Sequence, residues 1–128
     1  MEQHNKIEYK GPTFDGSNHS VTMEDGEQVV LEPFEDFSNR IFVKCDLSRL
    51  SLTSCNFSGC QFIDCQAEYT EFSHSDFTGA IFINSNFYGS AFLWGTLYRA
   101  QFRDCNLDVA RFNNAKMQRI QFDTCTLK

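Results

Sequence analysis

A large apolar residue recurs at every fifth position from Phe42 onward, and this repeat restricts the fold more than any other feature. Phe or Leu occupies sixteen of these eighteen central positions. Ala, Cys, Ser, Thr or Gly occupies fifteen of the eighteen positions that lie two residues before them. Apart from Arg40, no charged residue of segment 40–128 falls at either kind of position. Because burying a charge is costly, we predict that these two positions face inward and the other three face solvent.

A period of five matches neither the α-helix nor the alternation of an ordinary strand. It does match a chain that turns a corner every five residues, with its backbone hydrogen bonds running between successive coils. The repeat therefore predicts a β-solenoid. Phe82→Asp is expected to destabilise it, whereas Asn84→Asp, at an outward position, is expected to be silent.

The order small–polar–Leu/Phe–polar–polar resembles the repeat of the pentapeptide-repeat family. Clear copies are the segments CDLSR, CNFSG, SDFTG, SNFYG and CNLDV, which begin at residues 45, 55, 75, 85 and 105. The resemblance implies an all-β fold, a right-handed quadrilateral β-helix with four repeats per coil. It also implies about four and a half coils over residues 37–128, with Phe in every coil of one column: Phe42, Phe62, Phe82, Phe102 and Phe122.

Residues 1–36 precede the repeats and are expected to form an N-terminal cap with a β-hairpin. Asp25-Gly26 lies between two runs that contain apolar residues, 20–24 and 27–31, and this dipeptide is a strong hairpin signal. At the other end the repeat is still in register at Lys128. We therefore expect an uncapped last coil that either frays or pairs with something, for example end to end with a second copy of the chain.

The net charge of −6 is unevenly distributed. Residues 1–39 contain two basic and nine acidic side chains, whereas residues 40–128 contain nine basic and eight acidic ones. The acidity belongs to the N-terminal segment. Direct nucleic-acid binding is not expected, because no basic stripe is interleaved with aromatic residues.

The cysteines and histidines do not indicate a catalytic or metal site. All six cysteines occupy the small inward position with spacings unlike those of zinc ligands, so we predict buried, reduced thiols: Cys45, Cys55, Cys60, Cys65, Cys105 and Cys125. His4, His19 and His74 are scattered and have no nucleophile placed beside them. No phosphate loop or dinucleotide fingerprint occurs. We expect no catalytic residue, no metal and no cofactor.

The sequence predicts a cytoplasmic protein with no membrane segment. It has no run of about 18 apolar residues that could cross a bilayer. Its first residues are polar and lack the apolar core of a secretory signal.

No charged residue occurs between Asp76 and Arg99, so one full coil should form an uncharged girdle. Exposed aromatic and apolar residues without nearby charge are common in binding hot spots, although β surfaces favour such residues in any case. The predicted partner contacts are Ile63, Ile83, Tyr88, Leu93, Trp94 and Tyr98. Ile83 is expected to stack on Ile63 and Val43.

These features favour a non-catalytic module that binds an unidentified protein through the solenoid surface. The family resemblance adds a second hypothesis, since some members mimic DNA and bind DNA gyrase or topoisomerase IV. A third is an immunity or antitoxin protein, because a small chain with an acidic N-terminal segment suits a basic toxin. A homodimer through the last coil or the apolar face is a further alternative.

Overall fold

The computed structural model describes residues 8–10, 20–22 and 28–128. Six short strands form one parallel sheet in the order β1-β4-β5-β6-β7-β8, and β2 and β3 form a separate antiparallel pair. The described residues form no helix. The strands are β1 Glu8–Lys10, β2 Ser20–Thr22, β3 Gln28–Val30, β4 Ile41–Val43, β5 Gln61–Ile63, β6 Ile81–Ile83, β7 Gln101–Arg103 and β8 Gln121–Asp123.

Each strand from β4 to β8 pairs with the strand exactly one coil, or 20 residues, further along the chain, so that Phe42 lies opposite Phe62 and Phe62 opposite Phe82. Isolated parallel bridges with the same offset join the other three sides of the coil, for example Asp46 to Gln66 and Ser51 to Glu71. Four five-residue repeats therefore make one coil. The predicted β-solenoid is confirmed.

The four sides of the coil are named here by the column of central residues that each contains. Face 1 holds residues 42, 62, 82, 102 and 122, and face 2 holds 47, 67, 87, 107 and 127. Face 3 holds 52, 72, 92 and 112, and face 4 holds 37, 57, 77, 97 and 117. Faces 1 and 3 are opposite sides of the solenoid, as are faces 2 and 4.

The central residues fill the interior by stacking on their equivalents in adjacent coils. The ring centroids of Phe62 and Phe82 lie 5.0 Å apart, those of Phe82 and Phe102 lie 4.2 Å apart, and both pairs are nearly parallel. Neighbouring faces add edge-to-face contacts such as Phe82 with Phe87, at 5.1 Å. Ala67, the smallest central residue, is also fully buried. The predicted inward assignment of the central positions is confirmed for these residues.

The small inward residues place their polar atoms on the backbone of the preceding coil. The hydroxyl of Thr70 donates to the Leu47 carbonyl at 2.8 Å, and the Ser75 hydroxyl donates to the Leu52 carbonyl at 3.0 Å. The same geometry lets the Cys60 thiol reach the Phe37 carbonyl. Buried polar groups are tolerated when they are hydrogen-bonded, which explains why Ser, Thr and Cys alternate with Ala at this position.

The coil turns through a left-handed backbone conformation two residues after each central position. All 18 of these corner residues from Asn39 to Thr124 have positive φ, and only three of them are glycine. An L-residue in this region costs about 1–2 kcal/mol relative to the right-handed helix region. The coil-to-coil hydrogen bonds therefore impose an unfavourable φ on fifteen residues with side chains.

The N-terminal hairpin is present, since Ser20 lies opposite Val30 and Val21 opposite Val29 in an antiparallel pair. Its predicted turn at Asp25-Gly26 lies outside the described residues. The sequence did not predict β1, which pairs in parallel with β4 and extends the main sheet by one strand. This strand has no repeat signal and lies 33 residues before its partner, which explains why the period of five could not reveal it.

At the C-terminal end the last coil keeps its register, but its central side chains are partly open to solvent. Phe122 is 37% exposed and Leu127 is 52% exposed. Within the described ranges, no helix has the length and apolar character needed to span a membrane.

Candidate protein-binding surface

The six predicted contact residues are distributed over all four faces of the solenoid. Ile63 and Ile83 lie on face 1, Tyr88 on face 2, Leu93 and Trp94 on face 3, and Tyr98 on face 4. All six are exposed or half-buried. Because faces 1 and 3 are opposite sides of the coil, one flat partner surface cannot cover both, and the set divides into separate surfaces.

Trp94 occupies a corner position on face 3, with φ of 60° and 59% of its surface exposed. Its backbone N–H donates to the Asn113 carbonyl in the next coil at 3.1 Å, which fixes the corner. The indole lies parallel to the ring of His74, one coil earlier, with centroids 6.4 Å apart. Leu93 beside it is half-buried. Trp94 is the most exposed aromatic side chain within the repeats.

A second aromatic cluster lies on face 2, where the rings of Tyr69 and Tyr88 meet edge to face at 5.5 Å. The guanidinium of Arg49 lies 5.0 Å from the centre of the Tyr69 ring, within cation–π distance. Proximity to Tyr69 raises the pKa of Tyr88. A Cβ at Gly89 would lie 2.6 Å from the Tyr69 ring, so glycine there makes room for the ring.

Tyr88 is one of the six predicted partner contacts, whereas Tyr69 is not. A signal for the missing residue does exist in the sequence. Tyr69 is a corner residue, and the equivalent residue one coil later is Gly89. A bulky corner residue followed after 20 positions by glycine indicates a side chain that leans over the next coil.

The apolar column on face 1 follows the predicted order. Val43 lies opposite Ile63, and Ile63 lies opposite Ile83. The column ends at Arg103, which pairs in register with Ile83 on one side and with Asp123 on the other. These aliphatic side chains are half-buried within the sheet, as β-branched residues on a strand surface commonly are.

The cysteines lie along the inner wall, where five are buried and Cys125 is partly exposed. Desolvation raises the pKa of Cys60 and of Cys105 to about 12 in each case. Their thiols point at backbone carbonyls, as in the contact of Cys105 with the Phe82 carbonyl at 3.5 Å. In the part of the chain that the structure describes, no group of His, Cys, Asp and Glu is arranged to hold a metal ion.

Comparison of the whole fold with solved structures finds pentapeptide-repeat proteins. One is Rfr23 from the cyanobacterium Cyanothece 51142, with 16% identity over 75% of this chain and 83% of that protein, and a TM-score of 0.39. A trypsin-treated form of QnrB1, a plasmid-mediated fluoroquinolone resistance protein, has 19% identity over 76% of this chain and 63% of that protein, with a TM-score of 0.37.

A third is HetL from the cyanobacterium Nostoc sp. strain PCC 7120, a protein involved in heterocyst differentiation regulation. It has 13% identity over 73% of this chain and 52% of that protein, with a TM-score of 0.36. No curated protein matches the chain by sequence.

The family model described as pentapeptide repeats matches residues 36–66 and 60–92, with eight copies of the repeat. The same register continues beyond the matched region, because Phe102 and Phe122 pair in the coils that follow. The sequence repeat, the 20-residue coil and the family match agree: residues 36–92 match the pentapeptide-repeat family, and the chain folds as a β-solenoid of five-residue repeats.

Proposed function

We propose that this chain is a non-catalytic protein-binding module and that Leu93 and Trp94 on face 3 anchor its partner. The observation that carries the proposal is the only tryptophan of the chain, which stands 59% exposed at a corner of the uncharged coil. Tryptophan is enriched in binding hot spots, because it buries a large rigid surface on contact.

Contacts within the chain account poorly for a tryptophan at this corner. The left-handed backbone there is unfavourable for a bulky residue, and glycine occupies three of the corners on other faces, at residues 59, 79 and 89. The only ring contact of Trp94 within the described residues is with the exposed His74, at a centroid distance of 6.4 Å. A partner that covers the indole would add the burial that the isolated chain does not provide.

The surroundings of Trp94 also favour binding. The coil from residue 77 to residue 98 contains no charged side chain, so little charge would be desolvated when a partner approaches. The corner backbone is already fixed by its hydrogen bond to Asn113, so little backbone ordering is required. Tyr98 follows on face 4 and Tyr88 precedes on face 2, where each can contribute at an edge of the contact.

The two alternative functions receive less support. A DNA mimic needs an extended acidic surface, but residues 40–128 contain nine basic and eight acidic side chains. An immunity protein would use the acidic N-terminal segment, whose side chains lie mostly outside the described residues. We therefore place the principal contact on face 3.

Capture from the source cell, followed by titration of the purified partner, tests the proposal. Trp94→Ala should leave the circular dichroism spectrum unchanged. It should weaken the affinity for the partner by at least about 30-fold, the value expected for a hot spot of about 2 kcal/mol. Val109→Ala is the matched control, because it removes an exposed apolar side chain from a corner on another face. Equal affinities for the parent and Trp94→Ala would place the interface elsewhere.

A further inference from the structure

We propose that Arg99 and Arg119 on face 4 form a binding site for a carboxylate-rich peptide segment. Both are exposed corner residues, and they occupy the same place in consecutive coils. The backbone N–H of Arg99 donates to the carbonyl of Gln118 at 3.0 Å, which holds the two corners in register. The site is separate from the proposed contact at Trp94 and does not depend on it.

The 20-residue register shows that this arrangement differs from every other charged pair in the repeats. Residues 20 apart lie directly opposite each other in adjacent coils, where unlike charges stabilise a sheet and like charges destabilise it. Four such pairs of charged residues occur between residues 40 and 128. Three combine opposite charges and one combines like charges: Lys44 with Asp64, Arg103 with Asp123, Asp108 with Lys128, and Arg99 with Arg119.

The like-charged pair receives no compensation from the described residues. None of them forms an ion pair or a side-chain hydrogen bond with either guanidinium. The residues that line the surface around the pair are neutral: Thr78, Tyr98, Gln101, Gln118, Ile120 and Gln121. Unfavourable charge placement that the fold does not offset is typical of functional sites.

Two open depressions lie beside the arginines, and both are lined by Arg99 and Arg119. One has a volume of about 430 Å³ and is completed by Gln101, Ile120 and Gln121. The other has a volume of about 330 Å³ and is completed by Thr78, Tyr98 and Gln118. Together they form a shallow groove across two coils, with a positive charge from each coil at its centre.

An acidic peptide matches this groove in charge, spacing and hydrogen bonding. Guanidinium groups bind carboxylates through two parallel hydrogen bonds. Alternate side chains of an extended peptide lie about 7 Å apart, and the coils are about 4.8 Å apart, a difference that flexible glutamate and arginine side chains can span. The amides of Gln118 and Gln121 offer donors and acceptors to a peptide backbone, whereas the Gln101 amide oxygen already accepts a hydrogen bond from the Arg103 guanidinium at 2.7 Å.

A nucleic acid fits the same surface less well. Extended phosphate chains gain affinity from many basic contacts, whereas the adjacent face 1 presents one basic side chain, Arg103, with two acidic ones, Asp104 and Asp123, in the same two coils. The N-terminal segment adds further negative charge, with nine acidic residues against two basic ones between residues 1 and 39. A short peptide needs only the two arginines, so we infer a peptide ligand.

Fluorescence anisotropy with a labelled peptide of four Glu-Gly units tests the site. The parent chain should bind this peptide at low salt, should bind the Gln-Gly counterpart much more weakly, and should lose affinity as salt increases. The double variant R99Q/R119Q should reduce affinity at least tenfold. The control R111Q/K128Q removes the same charge from faces 3 and 2 and should change affinity less than threefold.

Equal losses of peptide affinity in the two double variants would show that only net charge matters, and this result would contradict the proposed site. Absence of peptide binding by the parent at millimolar concentration would overturn it as well. Single-stranded DNA of equal charge is the competing probe, and tighter DNA binding that R99Q/R119Q abolishes would replace the peptide with a nucleic acid.

Thermal unfolding without ligand supplies an independent measurement. Because the two arginines repel each other, Arg119→Gln should raise the melting temperature at low salt by about 2 °C, and the increase should disappear at high salt. An unchanged or lower melting temperature at low salt would contradict the argument from like charges.

Discussion

Replacing Phe82 with alanine should remove the most tightly packed ring of the solenoid. Phe82 is fully buried and stacks between Phe62, at 5.0 Å, and Phe102, at 4.2 Å. It also meets Phe87 edge to face at 5.1 Å. Loss of this one side chain therefore opens a cavity that touches three successive coils.

The expected loss is large compared with the stability of a small domain. Truncating a buried Phe to Ala costs about 3–5 kcal/mol, and contacts on both sides of the ring place Phe82 at the upper end of that range. Whole domains are stable by only about 5–15 kcal/mol. Phe122→Ala is the matched control in the same column, because Phe122 is 37% exposed and stacks on one ring, Phe102 at 5.4 Å, with an edge contact to Phe112 at 6.2 Å. It should cost about 1–2 kcal/mol.

Urea unfolding followed by far-UV circular dichroism measures both changes. With a slope of about 2 kcal/mol per molar urea, Phe82→Ala should lower the midpoint by roughly 2 M and Phe122→Ala by about 0.5–1 M. Solenoid stability is a sum over neighbouring units, so the control affects one interface between coils and Phe82→Ala affects two. Equal midpoint shifts for the two variants would refute the assignment of Phe82 to the centre of the stack.

Three further predictions use other parts of the structure. Gly89→Ala should destabilise the chain by about 1 kcal/mol more than Gly79→Ala in urea unfolding, because the two backbones match but only Gly89 lies under the Tyr69 ring; equal costs would contradict the contact. At pH 8 a thiol reagent should label Cys125 first and leave the five buried cysteines unreacted until unfolding, since burial disfavours their thiolates; rapid labelling of several thiols would show that the register is wrong. In a supercoiling assay the chain should not inhibit gyrase at low micromolar concentration, because the repeat surface is nearly neutral; inhibition would favour the DNA-mimic hypothesis.

The repeat allowed the solenoid and its interior to be predicted residue by residue, because a buried position rejects charge in every copy. The column from Phe42 to Phe122 and the stacking of Ile83 on Ile63 both follow from the period of five together with the four repeats per coil that the family resemblance implies. β1 could not be found this way, because its pairing with β4 depends on chain outside the period.

Side-chain contacts on the outer surface also could not be predicted from the repeat pattern. From the repeat pattern alone Asn84→Asp is expected to be silent, but the Asn84 amide donates to the Asp64 carboxylate at 2.7 Å. The equivalent residue in the following coil is Asp104. Asp at position 84 would place three carboxylates in one column and remove the donor, so the structure indicates a destabilising change.

The same limit applies to the candidate surfaces. The uncharged run of residues predicted which coil lacks charge. It did not predict the face from which each side chain projects. Trp94 and Ile83 are 11 residues apart in the sequence, yet they lie on opposite sides of the coil. The pairing of Arg99 with Arg119 becomes visible only when residues 20 apart are read as neighbours.

In the 20-residue coil, each step of five residues moves an outward side chain by a quarter turn, so its position in the sequence determines the face on which it lies. Deleting one repeat, such as residues 85–89, would join two equivalent corners and rotate everything downstream by one face. Trp94 would then move from the face opposite Ile83 to the adjacent one, while Arg99 and Arg119 would keep their mutual register. Gain or loss of five residues can therefore rearrange the binding surfaces of such a chain without redesigning its interior, whereas gain or loss of 20 changes only its length.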